Sequence, residues 1–204
     1  MRTAAAIGLR AHSGWAAAVA IGGPVEAPWV ITRRRIVMVD LHSAGGKQPY
    51  HAAVGLEIPE ARRMVTDCGA RAAALAAAAL RGMAGDLRGL GHEAAGCALL
   101  LASGRPLPEL ENILASHALI HTAEGELFRE ALRAASRDCG LPLLEIKERD
   151  LLTPAEPLEP HLAAMGKAIG PPWRQDQKYA AMAAWLMLRG APFGVPPPTS
   201  VRRP

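Results

Sequence analysis

The sequence predicts an α/β fold: a mixed sheet, three antiparallel strands followed by β-α-β units, flanked by helices. Three observations carry this expectation. The first forty residues hold three apolar or β-branched segments separated by short turn signals. A long stretch with apolar residues three and four apart follows. Beyond it, two short apolar runs alternate with further helical patterns.

Residues 4–11 form the first strand, ended by the turn signal His12-Ser13-Gly14. Residues 15–21 alternate, with Trp15, Ala17, Val19 and Ile21 on one face and Ala16, Ala18 and Ala20 on the other. A period of two marks a strand, and Gly22-Gly23-Pro24 breaks it. Residues 29–39 are β-branched and read as a third strand, with Arg33, Arg34 and Arg35 suited to an edge. Short turns make an antiparallel meander the economical arrangement. Residues 41–57 read as a loop. Pro59 and Glu60 then open a helix, whose inner face is predicted to carry Met64, Cys68, Ala72, Leu75, Ala79, Met83, Leu87 and Leu90. Residues 96–102 are a buried strand, and Pro108 starts a short helix. Thr122 is the expected N-cap of the next helix, with Glu124 and Glu126 in its first turn and Gly140 as its stop. Residues 141–147 are the fifth strand, 154–160 a proline-rich connector and 174–188 the last helix. We expect one domain over residues 1–190 and an extended proline-rich tail over 191–204.

The 204 residues are 50% hydrophobic and 21% charged, which excludes wholesale disorder. Only 4% are aromatic, so the core must be built from Ala, Leu, Val and Ile. The net charge of +4 has two readings, a polyanion partner such as nucleic acid or another phosphate-bearing ligand, or simply an arginine-rich composition, and the positive residues are mostly scattered. Cys68, Cys97 and Cys139 are widely spaced and odd in number, which argues against a disulfide framework and a cysteine zinc site. Arg10 and His12 interrupt the N-terminal apolar run, and no segment approaches 18 uninterrupted apolar residues, so a soluble cytoplasmic protein without a membrane partner is expected. The P-loop, dinucleotide and G-x-S-x-G motifs are missing.

Two segments carry a family resemblance. Ile7-Gly8-Leu9-Arg10-Ala11-His12-Ser13-Gly14-Trp15 is similar to the first-hairpin motif of the ribonuclease H-like superfamily, in its bacterial Holliday-junction resolvase branch. Asp176-Gln177-Lys178-Tyr179-Ala180-Ala181-Met182-Ala183-Ala184 resembles the final acidic, alanine-rich helix of the same branch. The resemblance implies that fold over most of residues 4–189 and a two-metal nuclease site, in which clustered carboxylates hold paired divalent ions. The sequence departs from it at the acids. Arg10 stands where a first-strand aspartate is expected, and Ala102-Ser103 ends the fourth strand in place of a glutamate. Only Asp176 matches, and one carboxylate cannot hold two Mg²⁺ ions.

The candidate catalytic residues are therefore Arg10, His12, Asp176 and Lys178: an anion holder, a base, a single carboxylate and a positive charge for phosphate. Ser13, Ser103 and Trp173 are candidate binding residues, Trp173 either stacking on a base or closing the core. His117, His121 and Glu124, spaced by four and three, are a candidate metal set if one continuous helix carries them. Glu126, Arg129, Glu130, Arg133 and Arg137 read as an ion-paired helix face. Two functions compete. One is a diverged, non-catalytic member of the fold that binds a partner or assembles as a homodimer. The other is a phosphodiesterase or nuclease with a non-standard site. The cofactor stays open, with a divalent metal ion as the candidate.

Overall fold

The computed structural model describes residues 2–40, 45–102 and 106–190. Ser103 and the proline-rich tail lie outside them. The strands are β1 (Thr3–His12), β2 (Trp15–Gly22), β3 (Trp29–Val37), β4 (His92–Leu101) and β5 (Leu143–Lys147). The helices are α1 (Pro49–Ala53), α2 (Ile58–Gly89), α3 (Leu110–Leu114), α4 (His117–Asp138), α5 (Leu152–Ala155), α6 (Glu159–Ile169) and α7 (Gln175–Gly190). The five strands form one sheet in the order β3-β2-β1-β4-β5. β1, β2 and β3 pair antiparallel, while β4 lies parallel to β1 and β5 parallel to β4. This is the mixed sheet expected from the sequence, three antiparallel strands and then β-α-β units.

Alternation along the strands sorts side chains into two layers. Ala5, Ile7 and Leu9 of β1, Ala16, Ala18 and Ala20 of β2, and Cys97 and Leu99 of β4 join one core with Phe128, Leu132, Leu80 and Met83 from α4 and α2. Ala6, Val19, Ile21, Ala98 and Leu100 join the other, under α7 and α6. Small side chains let α7 approach closely. A Cβ on Gly8 would lie 1.7 Å from the carbonyl oxygen of Ala180, so that contact requires glycine.

The three arginines of β3 follow the same alternation. Arg33 lies opposite Val19 and donates to the carbonyls of Gly170 (2.5 Å), Pro172 (2.6 Å) and Pro171. Arg34, opposite Ala18, pairs with Asp86 of α2 on the other face. Arg35 lies over the Trp15 ring, 3.9 Å from its centroid. Each arginine of this cluster is therefore engaged within the fold.

The structure differs from the sequence reading in several places. The segment expected as a loop over 41–57 contains α1. α2 begins at Ile58, and its buried face runs through Cys68, Ala72, Ala76, Ala77, Leu80, Met83, Ala84 and Leu87. Leu75 and Leu90 are exposed. β4 begins at His92 rather than Gly96. The proline-rich connector folds into α5 and the start of α6, where Pro160 takes a first-turn position that needs no amide donor. Among the described residues, no helix is long and apolar enough to cross a membrane. α2 outruns the sheet, and beyond it Ala53, Ala61 and Leu110 form a small helical core that carries α1 and α3.

Candidate functional site

The parallel strands β1, β4 and β5 end on one side of the sheet, the side on which α/β sheets present ligand sites. Arg10 and His12 follow Gly8 at alternate positions on β1 and so face the α7 layer. Asp176 lies four residues before Ala180, on the same side of α7. The close approach at Gly8 thus brings Asp176 over the end of β1. Glu148 arrives from the turn directly after β5.

Arg10 occupies the middle of this cluster. Its Nε and Nη2 donate to the two carboxylate oxygens of Glu148 at 3.0 and 2.6 Å, and its Nη1 donates to Asp176. The Tyr179 ring lies beneath the guanidinium, 5.2 Å away. His12 Nε2 lies 2.9 Å from the same Asp176 oxygen, and its ring stacks on Trp15 at 4.3 Å. Burial by itself would lower the Arg10 pKa, but the two carboxylates outweigh it, so the guanidinium is held above its ordinary value. The two-pronged Glu148 contact uses the fork geometry that lysine lacks.

The residues present do not fit a two-metal centre. Two carboxylates and one guanidinium carry a net −1, and the guanidinium already engages both Glu148 oxygens and one Asp176 oxygen. Of the other expected site residues, Ser13 is exposed in the β1–β2 turn and Lys178 is exposed on α7, with no side-chain hydrogen bond or ion pair among the described residues. Trp173 packs over Gly166 and donates from Nε1 to the carbonyl of Leu162 at 2.8 Å, so its indole closes the core. Glu148 is not among the site residues the sequence singles out. The signal available was its place immediately after the fifth strand.

The second candidate cluster lies on α4. This helix starts at His117, not after Thr122: Ser116 is the N-cap, its Oγ accepting from the Leu119 amide at 3.4 Å. Thr122 is internal and donates back to the carbonyl of Ala118. His117, His121 and Glu124 therefore share one continuous helix. Glu124, however, is not a converging donor. It is buried, and its Oε1 accepts from the amides of Tyr50 (2.9 Å) and His51 (3.1 Å), with His51 Nδ1 at 3.3 Å. Burial raises its carboxyl pKa, and the bonds from His51 and Tyr50 offset this only in part. The imidazole that joins the two on α4 is His51, with donor atoms of all three within 4.8 Å of one another. Among the described residues this is the one group of three such side chains close enough to hold an ion.

The charged face of α4 is partly buried. Glu126 accepts from Arg129 (2.8 Å) and Arg133 (2.6 Å), and Arg133 reaches Glu145 of β5 at 2.5 Å. The three cysteines are free thiols, and burial pushes Cys97 up to about 11 and raises Cys139.

No protein-family model matches the chain, and no curated protein matches it in sequence. Among solved structures, Thermus thermophilus RuvC in complex with a Holliday junction substrate is 11% identical, with a TM-score of 0.47, covering 90% of this chain and 91% of that one. A second Thermus thermophilus RuvC structure is 10% identical, also at a TM-score of 0.47, covering 89% and 91%.

Proposed function

We propose that this chain is a non-catalytic ribonuclease H-like domain, a binding or assembly module that has given up the metal chemistry of the fold's usual site. The observation that carries this reading is Arg10, whose guanidinium pairs with both Glu148 and Asp176 where free carboxylates would be needed. A divalent ion would have to displace a two-pronged, charge-assisted contact to bind Glu148, and would meet both Arg10 and His12 at the Asp176 oxygen. His12 shares the Asp176 oxygen and stacks on Trp15, which supports a positioning role for that imidazole over a base held ready for water. The partner class favoured by the net charge of +4 is a polyanion, and the alternative is a second copy of the chain.

The test is to incubate the purified chain with branched, hybrid and single-stranded substrates in Mg²⁺ or Mn²⁺, following binding and cleavage together. The expected result is no cleavage, with binding that weakens as salt rises or a dimer by light scattering. Cleavage that disappears on Asp176→Asn overturns the proposal. So does a monomer whose melting temperature no partner raises.

A further inference from the structure

We infer that His51, His117 and His121 form a surface site for a divalent transition-metal ion of the Zn²⁺ type, with Glu124 as the carboxylate that positions His51. The inference uses none of the residues around Arg10 and stands apart from the reading of that cluster.

His117 and His121 are one turn apart, so their rings leave α4 on the same side. Their centroids are 4.4 Å apart, with the planes at 87°. The His51 ring lies 5.5 Å from His117 and 4.9 Å from His121. His51 comes from α1, a helix of five residues whose N-cap, Gln48, makes no side-chain capping bond. Glu124 supplies what the cap lacks by accepting the Tyr50 and His51 amides. One stripe of α4 thus provides two imidazoles and the carboxylate that holds the third.

The bond from His51 Nδ1 to Glu124 is the carboxylate–histidine contact that fixes a ligand ring and its tautomer, leaving Nε2 for the ion. The second oxygen, Oε2, is buried and has no hydrogen-bond partner among the described residues. A carboxylate so placed costs folding energy, and orienting a cation-binding imidazole gives it a use. Packing does not account for the histidines, because His117 and His121 are exposed.

Tetrahedral Zn–N bonds of 2.0–2.1 Å require donor nitrogens about 3.3 Å apart. Rotation of the two exposed rings would bring donors now within 4.8 Å to that spacing. Three imidazoles suit Zn²⁺, Ni²⁺ or Cu²⁺ and disfavour Mg²⁺ and Ca²⁺, which take oxygen donors. Three protein ligands also leave a fourth position for water or an added ligand. Beside His51, a shallow depression lined by Gly45, Gly46, Lys47 and Gln48 gives room for one, and the Lys47 charge favours an anion.

The test uses the full chain, stripped with a chelator and dialysed. Zn²⁺ titration by calorimetry is expected to saturate at one equivalent, and Co²⁺ to give the visible spectrum of a tetrahedral site. Glu124→Gln is expected to weaken Zn²⁺ binding about 10–100-fold. His51→Ala and His121→Ala remove only side chains outside the main cores and should abolish the one-equivalent binding while the far-UV circular dichroism stays unchanged. His161→Ala should leave it intact. Lack of saturable one-equivalent binding overturns the inference, and so does binding that survives both His51→Ala and His121→Ala.

Discussion

Gly8→Ala tests how the fold brings α7 to the end of β1. Two effects of the substitution have opposite signs. In a strand with free space, alanine would be favoured over glycine by about 0.5–1 kcal/mol, because glycine loses more backbone freedom on folding. Here the new Cβ would sit 1.7 Å from the Ala180 oxygen, 2.7 Å from the Ala180 carbonyl carbon and 2.8 Å from the Ala184 nitrogen. All three are backbone atoms, so no rotamer change relieves the contact. The helix must withdraw by roughly 1 Å or more to restore van der Waals distances. Overpacking of this kind costs about 1–3 kcal/mol, and the upper end applies because the neighbours are main chain. In a chain of this size that corresponds to a fall in melting temperature of roughly 6–12 °C. Thermal unfolding followed by circular dichroism reads the effect. A variant that melts at or above the wild-type temperature would refute the close approach, and with it the reason Asp176 reaches Arg10.

Three further predictions follow from the charged and aromatic groups. Arg10→Ala leaves Glu148 and Asp176 without their shared cation; partial exposure reduces the cost to about 1–2 kcal/mol, below that of a fully buried pair. Chemical denaturation at neutral pH reads the deficit, and a variant as stable as the wild type would contradict it. For Glu126, burial would raise the carboxyl, but Arg129 and Arg133 outweigh it and hold it below its ordinary value near 4.5. A depressed carboxyl stabilises the fold above its unfolded pKa and loses that contribution as pH falls through the folded one. Glu126→Gln should therefore lower the melting temperature at neutral pH, and its difference from wild type should close as pH falls below the ordinary carboxylate range. Trp173→Phe removes the indole bond to Leu162 and should cost about 0.5–1.5 kcal/mol by thermal melt, with nucleic-acid affinity in a gel shift unchanged.

Much of the sheet was legible because its signals are local. Period-two alternation over 15–21 and the turn at Ser13-Gly14 are properties of neighbouring residues. The helix starts were less so. Ser116 and Thr122 are both capping residue types, and a threonine hydroxyl can equally bond back to a carbonyl four residues earlier inside a helix, as Thr122 does. β4 begins with His92 and Glu93, which carry no apolar pattern, so the sequence signal starts only where the burial starts, at Gly96. The inner face of α2 drifts from the expected one because its alanines, not its larger Leu75, meet the sheet.

The two candidate sites divide in the same way. Arg10, His12 and Asp176 could be read from a family pattern and its departures, and the structure brings them together. Glu148 is 138 residues from Arg10, and no local signal reports a partner at that distance. His51 sits on a helix of five residues held by Glu124, so neither α1 nor the third imidazole can be inferred from residues 41–57 alone. Both gaps have one cause: side chains from remote segments complete what the local sequence leaves open.

In the proposed reading, the Arg10 guanidinium takes the place of metal ions between Glu148 and Asp176. A Mg²⁺ titration followed by NMR at the Arg10 Nε–H and the Asp176 carboxyl tests it most directly. No saturable shift is expected at either group in the wild-type chain, and a saturable shift is expected at Asp176 once Arg10→Ala frees the carboxylates. Saturable Mg²⁺ binding at Asp176 and Glu148 with Arg10 in place would contradict it.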